Sequence, residues 1–314
     1  MGDDAFKNRF AAAAVGGLIA LLMLYPDDAM DAVRAACGLW ARSVMPALFP
    51  YMVASSLLVS VTGRKALTVP LSFLGGSPAG ARLVSLAASS AEQAQTLAAL
   101  CTTVSPLYIL GALSGGPRML LPHWLGACVA FGCVRLMPIF ARFRTIPAGV
   151  FFARQGGKKS AGMVRNIAGI GTTPRAAEAR ENAPQSRMSR RPAFADIVRD
   201  ATLASLAICG YMALFMALSA LLARVLPLTR ALRALLLCTL EMAGGCAALL
   251  SLGLPASRAT PLLCAAVSFG GLSIFMQNAL FLKPAGVNMR VQLIARAVHA
   301  AAAYGLCALS FRVW

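Results

Sequence analysis

Glu241 is the residue whose type and position most clearly suggest chemistry, because it is the only acidic residue deep within an apolar run of the second half of the chain. A carboxylate in hydrocarbon costs several kcal/mol unless it is paired or protonated, and such residues face a cavity or a partner. One interpretation is a site for a coupling cation, a proton or a polar solute. The other is a structural carboxylate that accepts hydrogen bonds from helix N-termini of a facing hairpin.

Glycine and serine clusters interrupt two stretches of apolar sequence, and the second of them is the run that contains Glu241. Ser77, Pro78 and Gly80 form the first interruption, and Gly244 with Gly245 forms the second. Unwound backbone at these points could contact a ligand where it lines a cavity. The alternative is close helix packing through small residues, which is common in membranes.

Further polar or glycine residues within apolar runs complete the predicted substrate-binding set. They are Ser105, Ser268, Gly270, Gln277 and Asn278. Gln277 and Asn278 also suit a boundary pair near the cytoplasmic end of a helix, above Lys283. His123 beside Trp124 is predicted to be an interfacial pair rather than a site.

The composition decides the class of protein. Of 314 residues, 59% are apolar and only 13% are charged, and the mean hydropathy is +0.72. A soluble domain carries about 25% charged residues, so this composition excludes a soluble globule and a disordered chain. There is no Walker A or dinucleotide fingerprint, and neither the nine cysteines nor the two histidines have a metal-ligand spacing. We therefore predict a polytopic membrane protein that is not an enzyme and needs no metal or cofactor.

The basic charge is concentrated in one loop. The chain has 29 Lys and Arg against 11 Asp and Glu, and residues 141–193 hold eleven of the basic residues with only two glutamates. The positive-inside rule predicts that this loop is cytoplasmic. Nucleic-acid binding is not predicted, because the basic residues do not form a face among aromatic side chains.

The elements that must position these residues are all helices. Apolar runs predict spans at 10–25, 37–62, 94–116, 118–140, 198–222, 259–282 and 288–312. Pro46 and Pro50 predict a kink in the second span. Shorter arms around the glycine clusters predict re-entrant hairpins over 66–90 and 234–255.

The two halves resemble each other. Matching segments lie 163 to 166 residues apart, and one pair is Gly80 with Gly245. We predict an N-terminal span and acidic turn (1–28), a first repeat (29–140), the basic loop (141–193) and a second repeat (194–314). Three crossings per repeat invert one repeat relative to the other, and this places the acidic turn outside and the basic loop in the cytoplasm. Inverted repeats with broken helices are typical of secondary transporters.

Several motifs resemble those of the YlbJ-type sporulation integral membrane proteins, which belong to the Gate-domain group, also called the nucleoside recognition domain. The motifs are Ser43-Val-Met-Pro-Ala-Leu-Phe-Pro-Tyr51, Gly76-Ser-Pro-Ala-Gly-Ala81, Glu241 with Gly244, and Phe269-Gly-Gly-Leu-Ser273 with Gln277. The resemblance covers residues 31–140 and 194–312. It implies a multi-pass protein of the cell membrane that is needed for spore cortex formation, and it implies no substrate.

Two functions are therefore expected from the sequence. The first is a permease that moves a small polar solute, with or without a coupling cation or proton. The second is a membrane scaffold that supports sporulation through its basic loop.

Overall fold

The computed structural model describes residues 2–63, 65–113, 116–143 and 193–313, and this part of the chain contains α-helices and no strand. The α-helices are α1 (Gly2–Leu24), α2 (Pro26–Leu39), α3 (Met45–Thr62), α4 (Thr68–Gly75), α5 (Ala79–Ala87), α6 (Ala91–Cys101), α7 (Pro106–Ala112), α8 (Gly116–Phe143), α9 (Phe194–Val225), α10 (Arg230–Leu240), α11 (Met242–Leu250), α12 (Ala256–Phe269), α13 (Gly271–Leu282) and α14 (Met289–Val313). The predicted basic loop lies almost wholly outside the described residues.

Six helical stretches of the described chain are long and apolar enough to cross a membrane. They are Pro26–Thr62, Ala91–Gly111, Gly116–Met137, Phe194–Val225, Ala256–Leu282 and Met289–Arg312. The apolar part of α1, Ala11–Leu24, is shorter, so the predicted first crossing at 10–25 stays a prediction. The expectation of an all-α polytopic membrane protein is confirmed.

The outer surface of the protein is apolar, unlike that of a water-soluble protein. Large apolar side chains such as Leu121, Leu203 and Leu206 are exposed on the outer surface of the spans, whereas Gln292 and Arg296 are buried. A water-soluble protein rarely exposes apolar patches of this size. Contact with lipid tails would remove this apolar surface from water. The outer surface therefore contacts the bilayer.

The same order of elements occurs twice along the chain. A long helical stretch (α2–α3 or α9) is followed by a pair of short helices (α4–α5 or α10–α11), a broken span (α6–α7 or α12–α13) and an unbroken span (α8 or α14). The order of elements is therefore similar in the two parts of the chain, and the repeat expected from the matching segments stays a prediction.

Each pair of short helices folds back on itself as a hairpin. A Cβ atom added to Gly245 would lie 2.3 Å from the backbone nitrogen of Cys238, and one added to Gly80 would lie 3.2 Å from the Cβ atom of Ser72. Residues seven or eight positions apart would be more than 10 Å apart along a continuous helix, so the arms must pack side by side. The arms hold 8, 9, 11 and 9 residues, about 12–17 Å of helix, and none can cross a hydrocarbon core of about 30 Å.

The boundaries differ from the sequence prediction at three points. The acidic segment 26–31, predicted as a turn, is helical, because Pro26 occupies the first position of α2. The second span begins there rather than at residue 37, and a five-residue π-helical segment, Trp40–Val44, joins α2 to α3. Only Glu241 separates α10 from α11, so Gly244 and Gly245, predicted to be unwound, lie inside α11, and Gly80, predicted at the tip of the first hairpin, lies inside α5.

Helices that follow the breaks pack against the opposite half. Val104 and Ile109, at the break before α7 and within α7, share a core cluster with Cys238 and Met242 of the second hairpin. Leu282 of α13 shares another cluster with Ala81 and Val84 of the first hairpin. The two halves are therefore interlocked rather than merely side by side.

Candidate functional site

A cavity of about 340 Å³ lies where the two hairpins approach each other. Its walls come from α2, α3 and α9, from both hairpin tips, from the break before α7, and from α13. Its polar lining includes Ser43, Ser77, Ser105, Glu241 and Gln277. The structure therefore brings four of the predicted substrate-binding residues (77, 105, 241 and 277) to one place, which we call the central cavity.

Glu241 forms the tip of the second hairpin. Its backbone is extended (φ −138°, ψ 116°), and its side chain caps the start of α11. Oε1 accepts a hydrogen bond from the backbone N–H of Ala243 at 3.2 Å, and Oε2 accepts one from Gly244 at 2.7 Å. The carboxylate thus meets helix N-terminal groups, as one interpretation of the sequence expected, but they belong to its own hairpin rather than to the facing one.

The Glu241 carboxylate has no basic partner among the described residues. Its side chain is 4% exposed, and no Lys or Arg within the ranges that the structure describes forms an ion pair with it. Each carboxylate oxygen has two acceptor positions, and the two backbone bonds occupy one on each. The group therefore retains acceptor capacity at the wall of the central cavity.

The first hairpin tip is tied to the break before α7. The backbone N–H of Ser77 donates to the carbonyl oxygen of Thr103 at 2.6 Å. Ser105 caps α7 by accepting a hydrogen bond from Tyr108 N–H at 3.3 Å, and Pro106 follows it at the first helical position. These residues hold the Ser77 and Ser105 hydroxyls at the cavity wall.

Gln277 and Asn278 lie in the interior of the protein rather than at a boundary. Gln277 lines the central cavity, and its Nε2 donates to Ser273 Oγ at 3.1 Å. Asn278 is fully buried, and its Nδ2 donates to Ser77 Oγ at 3.3 Å. This last bond joins the second broken span to the first hairpin.

A second cavity of about 480 Å³ lies on the other side of Glu241. Its lining includes Glu241, Gly244, Asp28, Arg224 and Arg233. Arg224 Nε lies 3.7 Å from Asp28 Oδ2, and Arg233 Nη2 donates to the carbonyl oxygen of Ala223 at 2.9 Å. Glu241 therefore lies in the wall between the two cavities. The second cavity is lined by two acidic side chains (Asp28 and Glu241) and two basic ones (Arg224 and Arg233).

Gly80 and Gly245 do not line the central cavity, and each one packs closely against the backbone of a neighbouring segment. A Cβ atom on Gly80 would lie 2.0 Å from the carbonyl oxygen of Cys101, and Gly245 contacts the backbone of Cys238 as described above. These contacts agree with close packing through small residues.

Ser268 and Gly270 belong to a buried polar cluster beside the breaks. Ser268 Oγ lies 2.8 Å from His123 Nδ1. Gly270 ends α12 with φ +78°, and a Cβ atom there would lie 2.4 Å from Arg296 Nη1. His123, predicted as an interfacial residue, is fully buried, because the hydroxyl of Ser268 supplies a partner inside the protein.

Arg296 of α14 joins the two broken spans, and the sequence analysis missed it. Nη1 donates to the carbonyl oxygen of Phe269 at 2.6 Å, and Nη2 donates to that of Thr102 at 3.1 Å. These carbonyls end α12 and α6, where the helix dipole is negative. Gln292, Arg296 and His299 are spaced i, i+4 and i+7 on an apolar helix, and this polar stripe is the signal that could have found them.

Comparison of the chain with protein-family models, with curated proteins and with solved structures finds no match in any of the three.

Proposed function

We propose that the protein is a secondary transporter that moves a small polar solute through the central cavity. The observation that carries this proposal is the position of that cavity, at the meeting point of two hairpin tips and a helix break, with Glu241 in its wall. Irregular backbone at membrane depth is tolerated where it lines a cavity. Secondary transporters place their substrate sites at such discontinuous helices, between two structural repeats.

The proposal includes an inverted relation between the halves. Support comes from the hairpin arms, which are too short to cross the hydrocarbon core, so that each half crosses three times. An odd number of crossings inverts the second half. The positive-inside rule then places the basic loop 141–193 in the cytoplasm and the acidic start of α2 outside.

A role in spore cortex formation, in the cell membrane, is the further part of this proposal. It rests on the resemblance to YlbJ-type and other Gate-domain proteins. The motif regions that carry this resemblance include Ser43, Ser77, Glu241 and Gln277, and all four residues line the central cavity. The alternative is a scaffold that acts through the basic loop, and transport measurements distinguish the two.

The test is uptake into proteoliposomes from a panel of nucleosides, amino acids and cell-wall precursors. A tryptophan at Ile274, which lines the central cavity, should fill it and abolish uptake. The matched control is Leu121→Trp, because Leu121 is 62% exposed on the lipid-facing side of α8. Uptake that never exceeds that of protein-free vesicles, or that survives Ile274→Trp, would favour the scaffold.

A further inference from the structure

The charge of the central cavity is opposite to that of the chain. The protein has 29 basic and 11 acidic residues, yet Glu241 is the only Asp, Glu, Lys, Arg or His among the described residues that line the cavity. A random sample of this chain would give more basic than acidic side chains. The described lining of the central cavity therefore has one acidic side chain and no basic one, inside a strongly positive protein.

The protein offers this carboxylate hydrogen bonds but no ion pair among the described residues, and Arg224 and Arg233 line only the second cavity. Ala243 and Gly244 each donate one backbone N–H to it. The buried cation Arg296 is bonded to the carbonyls of Phe269 and Thr102 instead, and it does not line the cavity. A buried carboxylate without a cation is costly, so a bound group that brings positive charge gains more here than it would in water.

The rest of the cavity suits an organic cation. Tyr51 and Tyr108 line it, and aromatic rings attract cations through their π faces. Leu48, Ile208 and Ile274 supply apolar surface for the remainder of a ligand. The volume of about 340 Å³ lies at the lower end of the range for small-molecule sites.

We propose that the solute of the central cavity carries an ammonium group that binds Glu241, so that the protein selects small organic amines over carboxylates and phosphates. This inference rests on the proposed function and specifies its substrate class. An anion would meet a carboxylate that has no ion-pair partner among the described residues, at short range and low dielectric, and the two would repel. A neutral solute would leave the carboxylate without its counter-charge.

The test uses three probes of one shape, 2-phenylethylamine, 2-phenylethanol and phenylacetate, titrated calorimetrically into the purified protein in detergent. The amine should bind at least about tenfold more tightly than the alcohol, and phenylacetate should not bind. Glu241→Gln keeps an oxygen acceptor for α11 and should remove the preference for the amine. Asp28→Asn, in the second cavity, should leave the preference unchanged.

A second variant keeps the test decisive if Glu241→Gln does not fold. Gln277→Lys adds a positive charge to the same cavity and should weaken amine binding by at least about tenfold while leaving the alcohol unaffected. Equal binding of amine and alcohol, tighter binding of phenylacetate, or an amine preference that survives either variant would overturn the inference.

The outcomes separate this inference from the proposed function. Uptake of a neutral or anionic solute into proteoliposomes, without amine binding, would support the transport function and overturn the amine-binding inference. Amine binding that depends on Glu241, with no uptake of any amine, would support the amine-binding site and contradict the transport function.

Discussion

Arg296 Nη1 lies 2.6 Å from the carbonyl oxygen of Phe269, so a buried guanidinium closes the break in the second broken span. The same guanidinium reaches Thr102, at the break in the first. One side chain of α14 therefore sets the distance between two helix ends that belong to different halves. Its positive charge is balanced by helix dipoles rather than by a carboxylate among the described residues.

Replacing Arg296 by Met should destabilise the protein. Two buried carbonyl oxygens would lose their charged donor, at a cost of about 1–3 kcal/mol for each group left unsatisfied. Arg296→Lys should be intermediate, because an ammonium cannot reproduce the fork of the guanidinium. Melting curves in detergent measure the effect, with Arg290→Met as the control, since Arg290 is exposed on the same helix. Equal melting temperatures for the two Met variants would contradict the bridging role.

Gly245→Ala should disrupt the second hairpin. The added methyl group would lie 2.3 Å from the backbone nitrogen of Cys238, and a backbone atom cannot move aside without parting the two arms. Gly210→Ala is the matched control, because no atom lies within 4 Å of a Cβ built at this residue of α9, and the change should stabilise the helix by about 0.5–1 kcal/mol. The yield of monodisperse protein and its melting temperature report both effects, and a Gly245→Ala protein as stable as Gly210→Ala would refute the packing described for the arms.

Two variants should separate the role of Glu241 as the cap of α11 from its role in transport. Glu241→Ala removes the cap of α11 and should lower stability by about 0.5–2 kcal/mol. Glu241→Gln retains an acceptor and should melt near the wild-type temperature, but it should abolish uptake, because the charge at the wall of both cavities is lost. Uptake and melting are measured on the same preparations. Normal uptake by Glu241→Gln would mean that the carboxylate is structural only.

The hairpin topology can be tested by labelling. Single cysteines at Gly63 and Glu92, both exposed and flanking the first hairpin, should react with an impermeant thiol reagent from the same, cytoplasmic side. Cysteines at Asp28 and Gln155, the latter outside the described residues, should react from opposite sides. A background without the nine native cysteines is required. Reaction of positions 63 and 92 from opposite sides would mean that residues 66–90 cross the membrane, and the inverted relation would then fail.

Much of the fold was predictable because glycine, proline and apolar run lengths act locally. Ser105 before Pro106 and the positive-φ Gly270 lie at the breaks of the two broken spans, since a serine side chain caps a helix and a glycine ends one. Gly244 and Gly245 were predicted to be unwound because a glycine that breaks a helix and one that permits close packing look alike in sequence. Only the backbone of Cys238, folded against Gly245, distinguishes the two.

The candidate site was partly predictable for a similar reason. Glu241 stood out because a single acid in an apolar run is conspicuous. Arg296 did not, because its partners Thr102 and Phe269 offer only backbone carbonyls, which every residue has. Nothing in the sequence marks a particular carbonyl as the partner of a guanidinium far along the chain.

The bond between Arg296 and Thr102 has a consequence for biosynthesis. The two residues are 194 positions apart, so the ribosome completes the first half long before it makes the residue that closes the break in that half. Until then the C-terminal end of α6 must be held by water, by lipid headgroups or by the insertion machinery. Premature release of the nascent chain would leave a fragment with an open polar break in the bilayer, a natural signal for membrane quality control.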